Sequence, residues 1–167
     1  RHDAAESLIE FIAKVLPERI NHLVDLYAGV GMFGLSYQSR AAQVTCVERS
    51  PGSVADARHY VTEHDLNHVE VREAKVSEVV SEVLAPGVDV VILDPPRSGC
   101  PAPVIDALVT HSIAQVIYLS CGLNALARDI PRLVKAGYAI TDVAFFDMFP
   151  HTPHAEVAVV LSPQGSP

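Results

Sequence analysis

The sequence has no apolar run long enough to span a membrane. Stretches such as Val88–Leu93 are a few residues long, against the roughly 20 that a membrane helix needs. The basic-then-apolar layout of a signal peptide is also missing from the N-terminus. Cysteines are few: Cys46, Cys100 and Cys121 are odd in number, far apart and without a CxxC pair. That suggests neither a disulfide framework nor a zinc or iron–sulfur site, and it suits a reducing, cytoplasmic setting. Cations are scarce as well. Twelve Lys and Arg face 20 Asp and Glu, a formal charge of −8. Such a balance offers no sequence-independent grip on phosphates and argues mildly against nucleic acid. Charged residues make up 19% of the chain and apolar ones 49%, the reverse of what disorder requires. There is no internal repeat, low-complexity tract or linker. The 167 residues fit one domain that buries about 70% of its unfolded surface. The chain starts at Arg1 rather than Met, which points to a piece of a longer protein.

What is present is a regular alternation. Leu8, Ile9, Ile12 and Val15 recur at three- and four-residue spacing, so residues 4–15 read as an amphipathic helix closed by Pro17. Strands are expected at His22–Tyr27, Gln43–Glu48, Val69–Glu73, Val88–Leu93 and Gln115–Ser120. Between them, helices are expected over 31–40, 51–64, 76–84, 102–110 and 124–135, the last stopped by Gly137. Tyr138–Asp147 and Glu156–Leu161 read as two strands joined by a Pro-containing turn. Strands alternating with helices imply a doubly wound α/β fold, a mostly parallel sheet with one antiparallel edge strand.

Gly29-Val30-Gly31-Met32-Phe33-Gly34 satisfies GxGxxG between a strand and a helix. Glycines admit a ligand close to the backbone, and the helix start offers free N–H groups. Glu48, ending the next strand, suits a pair of ribose hydroxyls. A dinucleotide, the nucleoside of S-adenosylmethionine and a purely structural tight turn all fit this pattern. Asp25, just before the turn, favours the second: it would be misplaced beside a pyrophosphate but could pair with a methionine ammonium. The competing role for Asp25 is a cap on helix N–H groups.

Ligands of open α/β sheets sit beyond the carboxyl ends of the strands, and three unusual segments lie there. In Asp94-Pro95-Pro96-Arg97-Ser98-Gly99 two prolines stiffen the backbone, holding Asp94 at an angle suited to a planar hydrogen-bonding substrate. Ser120-Cys121-Gly122 puts a thiol at a strand end facing the crevice, where a thiolate can attack an electrophilic carbon. Cys46 and Cys100 lack that placement and read as packing or surface residues. In the third segment, 149–156, His151, His154 and Glu156 do not have the i, i+4 helical spacing of a zinc site. No metal is expected, and Glu156 instead reads as a general base.

Asp25-Leu26-Tyr27-Ala28-Gly29-Val30-Gly31, Asp94-Pro95-Pro96-Arg97-Ser98-Gly99, Ser120-Cys121, Asp147-Met148-Phe149-Pro150 and Pro153-His154-Ala155-Glu156 occur in this order. Together they resemble the catalytic domain of the S-adenosylmethionine-dependent RNA 5-methyluridine methyltransferases, across nearly the whole chain. The resemblance implies a Rossmann-like class I methyltransferase fold and S-adenosylmethionine as cofactor. Cofactor contacts are implied for Asp25, Tyr27, Gly29, Gly31, Glu48 and Asp94. It also implies a mechanism. Cys121 attacks carbon 6 of uracil, Asp94 holds the uracil edge, Arg97 braces the loop or a phosphate, and Glu156 removes the carbon 5 proton. The implied partner is transfer or ribosomal RNA, bound by the full-length protein through an upstream module.

Three departures from the family pattern stand out. Gly122 and Leu123 follow the cysteine where members usually carry Asn and Pro. Lys75 stands where many carry a carboxylate for the adenine amino group. The chain also begins beyond the position of a substrate-contacting Gln. Weak RNA turnover by residues 1–167 alone is therefore expected. The rival readings are a methyltransferase acting on a nitrogen or a small molecule without a thiol, and a non-catalytic S-adenosylmethionine-binding or scaffold module. A dehydrogenase would leave Cys121 and Glu156 unexplained.

Overall fold

The computed structural model describes residues 2–147 and 156–165, with the side chains of His2 and Asp3 excepted. Seven strands form one sheet: β1 (Ile20–Leu26), β2 (Ala41–Glu48), β3 (Val69–Glu73), β4 (Val90–Leu93), β5 (Gln115–Ser120), β6 (Tyr138–Phe146) and β7 (Glu156–Pro163). Their spatial order is β3-β2-β1-β4-β5-β7-β6. The first five pair in parallel, and β7 runs antiparallel to both β5 and β6. The expected antiparallel end of the sheet is present, with a refinement: the reversed strand β7 lies one place in, and β6 forms the edge outside it. Val157–Leu161 are buried, whereas β6 exposes Ile140, Val143 and Phe145. The more apolar strand therefore takes the inner place.

Helices cover both faces. On one, α1 (His2–Val15) packs Leu8 and Ile12 with Leu23, Ile92, Ile117 and Val160. On the other, α4 (Val76–Val83), α5 (Ala102–His111) and α6 (Leu123–Lys135) pack Val80, Leu108 and Leu133 against Val24, Val91, Val116 and Val159. α3 (Pro51–Glu63) has Pro in its first turn, as expected. Alternate residues of the central strands enter opposite clusters, as the pleat requires.

The helix expected over 31–40 is shorter. α2 spans only Met32–Ser36 and is followed by a 3₁₀ turn at Gln38–Arg40. Gly34 lowers helix propensity, and the buried Phe33 and Tyr37 anchor the turn instead. Tyr37 also donates its hydroxyl to the Ile9 carbonyl (2.7 Å). β1 stops one residue early because Tyr27 adopts a left-handed conformation, φ 63°. β4 starts at Val90, where pairing with β1 begins. No helix among the described residues is long and apolar enough to cross a membrane.

Candidate active site

The carboxyl ends of β1, β2 and β4 open onto a cleft of about 760 Å³, lined among others by Tyr27, Glu48, Lys75, Asp94, Cys100 and Arg128. Beyond Asp94 in the sheet order come Cys121 and Glu156. Ser120 pairs with Val157 across β5 and β7, so the residue that follows β5, Cys121, and the first residue of β7, Glu156, fall at the same end of neighbouring strands. Leu93 pairs with Tyr118, which sets Asp94 at the end of the strand beside them. Cys121 and Glu156 do not line the cleft. Asp94 is therefore the residue shared between the cleft and the thiol–carboxylate pair.

Glycine and carboxylate build the turn behind the cleft; Glu48 lines the cleft, whereas Asp25, Gly29 and Gly31 do not. Gly29 and Gly31 both have positive φ (55° and 85°). Gly29 N–H donates to Glu48 Oε2 (3.0 Å), while Arg49 and Ser50 N–H both donate to Oε1 (2.8 Å each). Glu48 thus ties the glycine turn to the start of α3 and still reaches the cleft. Asp25 is fully buried below the turn. Its Oδ2 accepts from Gly34 N–H (2.7 Å), which is the capping role; its Oδ1 has no partner among the described residues. The N–H groups expected to be free at a long helix start are partly used: Gly34 by Asp25 and Leu35 by the Gly31 carbonyl.

Burial raises the Asp25 carboxyl to about 7 against the pull of the Gly34 N–H, with the Asp94 and Glu48 charges adding to the rise. Asp94 is exposed and lines the cleft, yet the protein around it desolvates the carboxyl and raises it too. Burial, reinforced by the Asp94 charge, brings Glu156 to about 7. Its Oε1 is buried without a partner among the described residues. The Asp94 charge thus bears on both Asp25 and Glu156, and the Glu48 charge on Asp25.

Cys121 is half-buried. Ser120 Oγ braces the turn after it, accepting from Gly122 N–H and donating to the Gly122 carbonyl (3.1 Å each). A Cβ on Gly122 would lie 2.8 Å from the Arg97 carbonyl oxygen. Glycine, where relatives are expected to carry Asn, lets the 94–101 loop lean on the thiol turn. Arg97 is exposed and outside the cleft. Lys75 lines the cleft and pairs with Glu78 (3.7 Å).

Among the described residues no group of three His, Cys, Asp or Glu side chains could hold a metal ion. His151 and His154, together with the rest of the 148–155 motif, lie outside the described residues. Buried Cys46 and Cys100 are packing residues, although Cys100 also lines the cleft. Missing from the sequence reading were Arg128, Asp129 and Tyr118. The signal was available: Asp129 falls on the buried stripe of α6 with Ala125, Ile130 and Leu133, where only a well-bonded carboxylate is tolerated.

The model of the tRNA (uracil-5-)-methyltransferase family matches residues 2–164. The chain is 39% identical over 151 residues to the 23S rRNA (uracil(1939)-C(5))-methyltransferase RlmD of Chromohalobacter salexigens, covering 90% of this chain and 31% of that protein. It is 32% identical over 164 residues to an uncharacterized RNA methyltransferase of Streptomyces coelicolor (96% and 35%). Among solved structures, the Pyrococcus abyssi tRNA (uracil-54, C5)-methyltransferase in complex with S-adenosyl-L-homocysteine superposes with a TM-score of 0.80. That match has 30% identity and covers 93% of this chain and 37% of the other. The precorrin-6y C5,15-methyltransferase of Geobacter metallireducens shares the fold, with a TM-score of 0.74 at 15% identity. The chain spans about a third of the length of the curated relatives it matches. A family model covering nearly every residue makes this chain a member of the tRNA (uracil-5-)-methyltransferase family.

Proposed function

We propose that the protein transfers a methyl group from S-adenosylmethionine to carbon 5 of a uridine in transfer or ribosomal RNA, through a covalent adduct on Cys121. The observation that carries the cofactor choice is the shared negative field of Asp25, Glu48 and Asp94. A pyrophosphate would be repelled there, whereas a ligand bearing an ammonium and a sulfonium would relieve the repulsion. Glu48 and Tyr27 would hold the nucleoside side of the cleft, with the turn at Gly29 and Gly31 allowing close approach. Asp25 would balance the ammonium through its unpaired Oδ1. S-adenosylmethionine, when bound, supplies an electrophilic methyl group.

The chain's own residues do the rest. Carbon 5 of uracil is a poor nucleophile. A bond from the Cys121 sulfur to carbon 6 pushes the electron pair of the 5,6 double bond toward carbon 5 and the carbon 4 oxygen. Asp94 holds the uracil edge beside both groups, with Arg97 bracing the loop or a neighbouring phosphate. Once carbon 5 carries the methyl group, Glu156 takes its proton. The electron pair then re-forms the double bond and expels Cys121 as thiolate. A carboxyl held near 7 is matched to that task. The base must be unpaired to reach this end of the sheet.

RNA containing 5-fluorouridine tests the chemistry, because fluorine cannot leave as a proton and the adduct persists. A stable, S-adenosylmethionine-dependent crosslink that disappears in Cys121→Ala is expected. Full methylation by Cys121→Ala would overturn the thiol mechanism. The cleft rim carries only a few cations, such as Arg49 and Lys75, so the 167-residue chain should hold RNA poorly.

A further inference from the structure

Asp129 on α6 is a fully enclosed carboxylate with no part in the chemistry described so far. Its Oδ1 accepts from Arg128 Nε (2.8 Å). Its Oδ2 accepts from the Cys100 N–H (2.8 Å), the Tyr118 hydroxyl (2.7 Å) and Arg128 Nη2 (3.2 Å). Arg128 Nη2 also donates to the Ser98 carbonyl (2.8 Å). The Cys100 thiol interacts in turn with the hydroxyls of Tyr27 and Tyr118. One knot, enclosed at Asp129 and Tyr118 and half-exposed at Arg128, therefore touches the turn after β1, the loop after β4, the strand leading to Cys121, and α6.

The loop is pressed onto this knot. Gly99 has φ +77°, and a Cβ there would lie 2.5 Å from both Arg128 Nη2 and Asp129 Oδ2. Two residues earlier the Arg97 carbonyl leans on Gly122, next to Cys121. The 94–101 stretch is thus held at its start by β4, clamped at 98–100 by Arg128 and Asp129, and braced in its middle against the thiol turn.

We infer that Asp129, with Arg128, is a positioning residue: it sets the spacing between Asp94 and the Cys121 thiol by clamping the 94–101 loop. The inference rests on the reading of Asp94 and Cys121 given above. Reacting groups tolerate little misplacement, and an error of about 1 Å can cost on the order of a hundredfold in rate. A saturated buried carboxylate is a stiff reference point. An amide in its place turns an N–H₂ group toward donors and loses the charge that holds Arg128.

Asp129→Asn, Arg128→Lys and the isosteric Tyr118→Phe test this, with Asp106→Asn on the exposed Asp106–Arg132 pair as control. Two rates are read with S-adenosylhomocysteine affinity alongside: iodoacetamide alkylation of Cys121 in the 167-residue chain, and adduct formation on a 5-fluorouridine transfer RNA transcript. For Asp129→Asn, alkylation should change by about fivefold or more. Adduct formation at saturating RNA should fall by about tenfold or more, with half-saturating RNA and S-adenosylhomocysteine affinity within about threefold. Tyr118→Phe and Arg128→Lys should shift the same way by less, and they carry the test if Asp129→Asn does not fold. Unchanged rates in folded variants overturn the inference, as does cofactor affinity falling by the same factor as adduct formation. If the unaltered chain forms no adduct at RNA concentrations shown to saturate its binding, the thiol mechanism fails. The alkylation arm still decides then whether Asp129 controls the Cys121 turn.

Discussion

Beneath the glycine turn and beneath the 94–101 loop, on opposite faces of the sheet, lie two fully buried aspartates with opposite chemistry. Asp129 is surrounded by donors. Burial raises its carboxyl, but the bonds from Arg128, Tyr118 and the Cys100 N–H, with the Arg128 charge, outweigh that and hold it below the ordinary range. Asp25 has only the Gly34 N–H among the described residues, too little to offset its burial, and with the Asp94 and Glu48 charges adding to the rise its carboxyl reaches about 7. Equal burial therefore does not mean equal function. A carboxylate saturated by the protein is a structural anchor, and one left half-satisfied holds its charge in reserve for a cationic ligand.

The largest test of that contrast is truncation. Asp129→Ala strands the buried Tyr118 hydroxyl and the Cys100 N–H, and should cost about 3–5 kcal/mol, a fall in melting temperature of about 10 °C. Asp25→Ala frees one N–H but also removes a poorly solvated carboxyl, and should cost about 1 kcal/mol while weakening S-adenosylmethionine binding measured by calorimetry. Similar unfolding costs for the two would break the comparison.

Matched glycine substitutions come next. Gly99→Ala drives a Cβ into Arg128, Asp129 and Ala125 at positive φ, so a loss of about 3 kcal/mol is expected. At Gly29 the φ is also positive, +55°, but no atom lies within 4 Å of a Cβ. Gly29→Ala should cost only about 1 kcal/mol in urea unfolding and show itself mainly as lost cofactor affinity.

Titration gives the smaller effects. Binding a cation favours the ionised carboxylates, so S-adenosylmethionine affinity should fall as the pH drops through about 7, where Asp25 takes up its proton. The uncharged thioether of S-adenosylhomocysteine should show a shallower dependence. Because both ligands carry the ammonium, affinity that stays flat for both across this range would argue against the negative field as the basis of selection. Glu156 titrates in the same range, but its proposed role comes after attack. Below about pH 7, and in Glu156→Gln, adduct should form on ordinary uridine RNA and resolve slowly. Prompt release by Glu156→Gln would remove it from the base role.

Much of this architecture is legible along the chain. The strand ends at Glu48, Leu93 and Ser120 follow from apolar runs bounded by glycine and proline, and the first strand ends one residue short of the expected Tyr27, at Leu26. The helix at 31–40 was less legible. Its apolar positions suit a helix, but Phe33 and Tyr37 find better burial when the chain breaks into a short helix and a 3₁₀ turn. Asp129 was concealed for a different reason. An Arg-Asp pair in an amphipathic helix reads as a solvated face until the 3.6-residue period is traced through Ala125, Ile130 and Leu133.

By itself, the sequence determined the order of strands and helices, the gathering of polar motifs at one end of the sheet, and the residue types able to attack, hold and deprotonate. Periodicity and turn chemistry are local, so they can be read locally. Tertiary structure alone decided that β7 slips inside β6, that Gly122 must yield to the Arg97 carbonyl, and that Asp25 and Asp129 part company. How many donors reach a buried carboxylate, and which charges face it, depends on segments far apart in the chain: Asp129 meets Cys100, 29 residues away. Those encounters exist only once the sheet has brought the strand ends together.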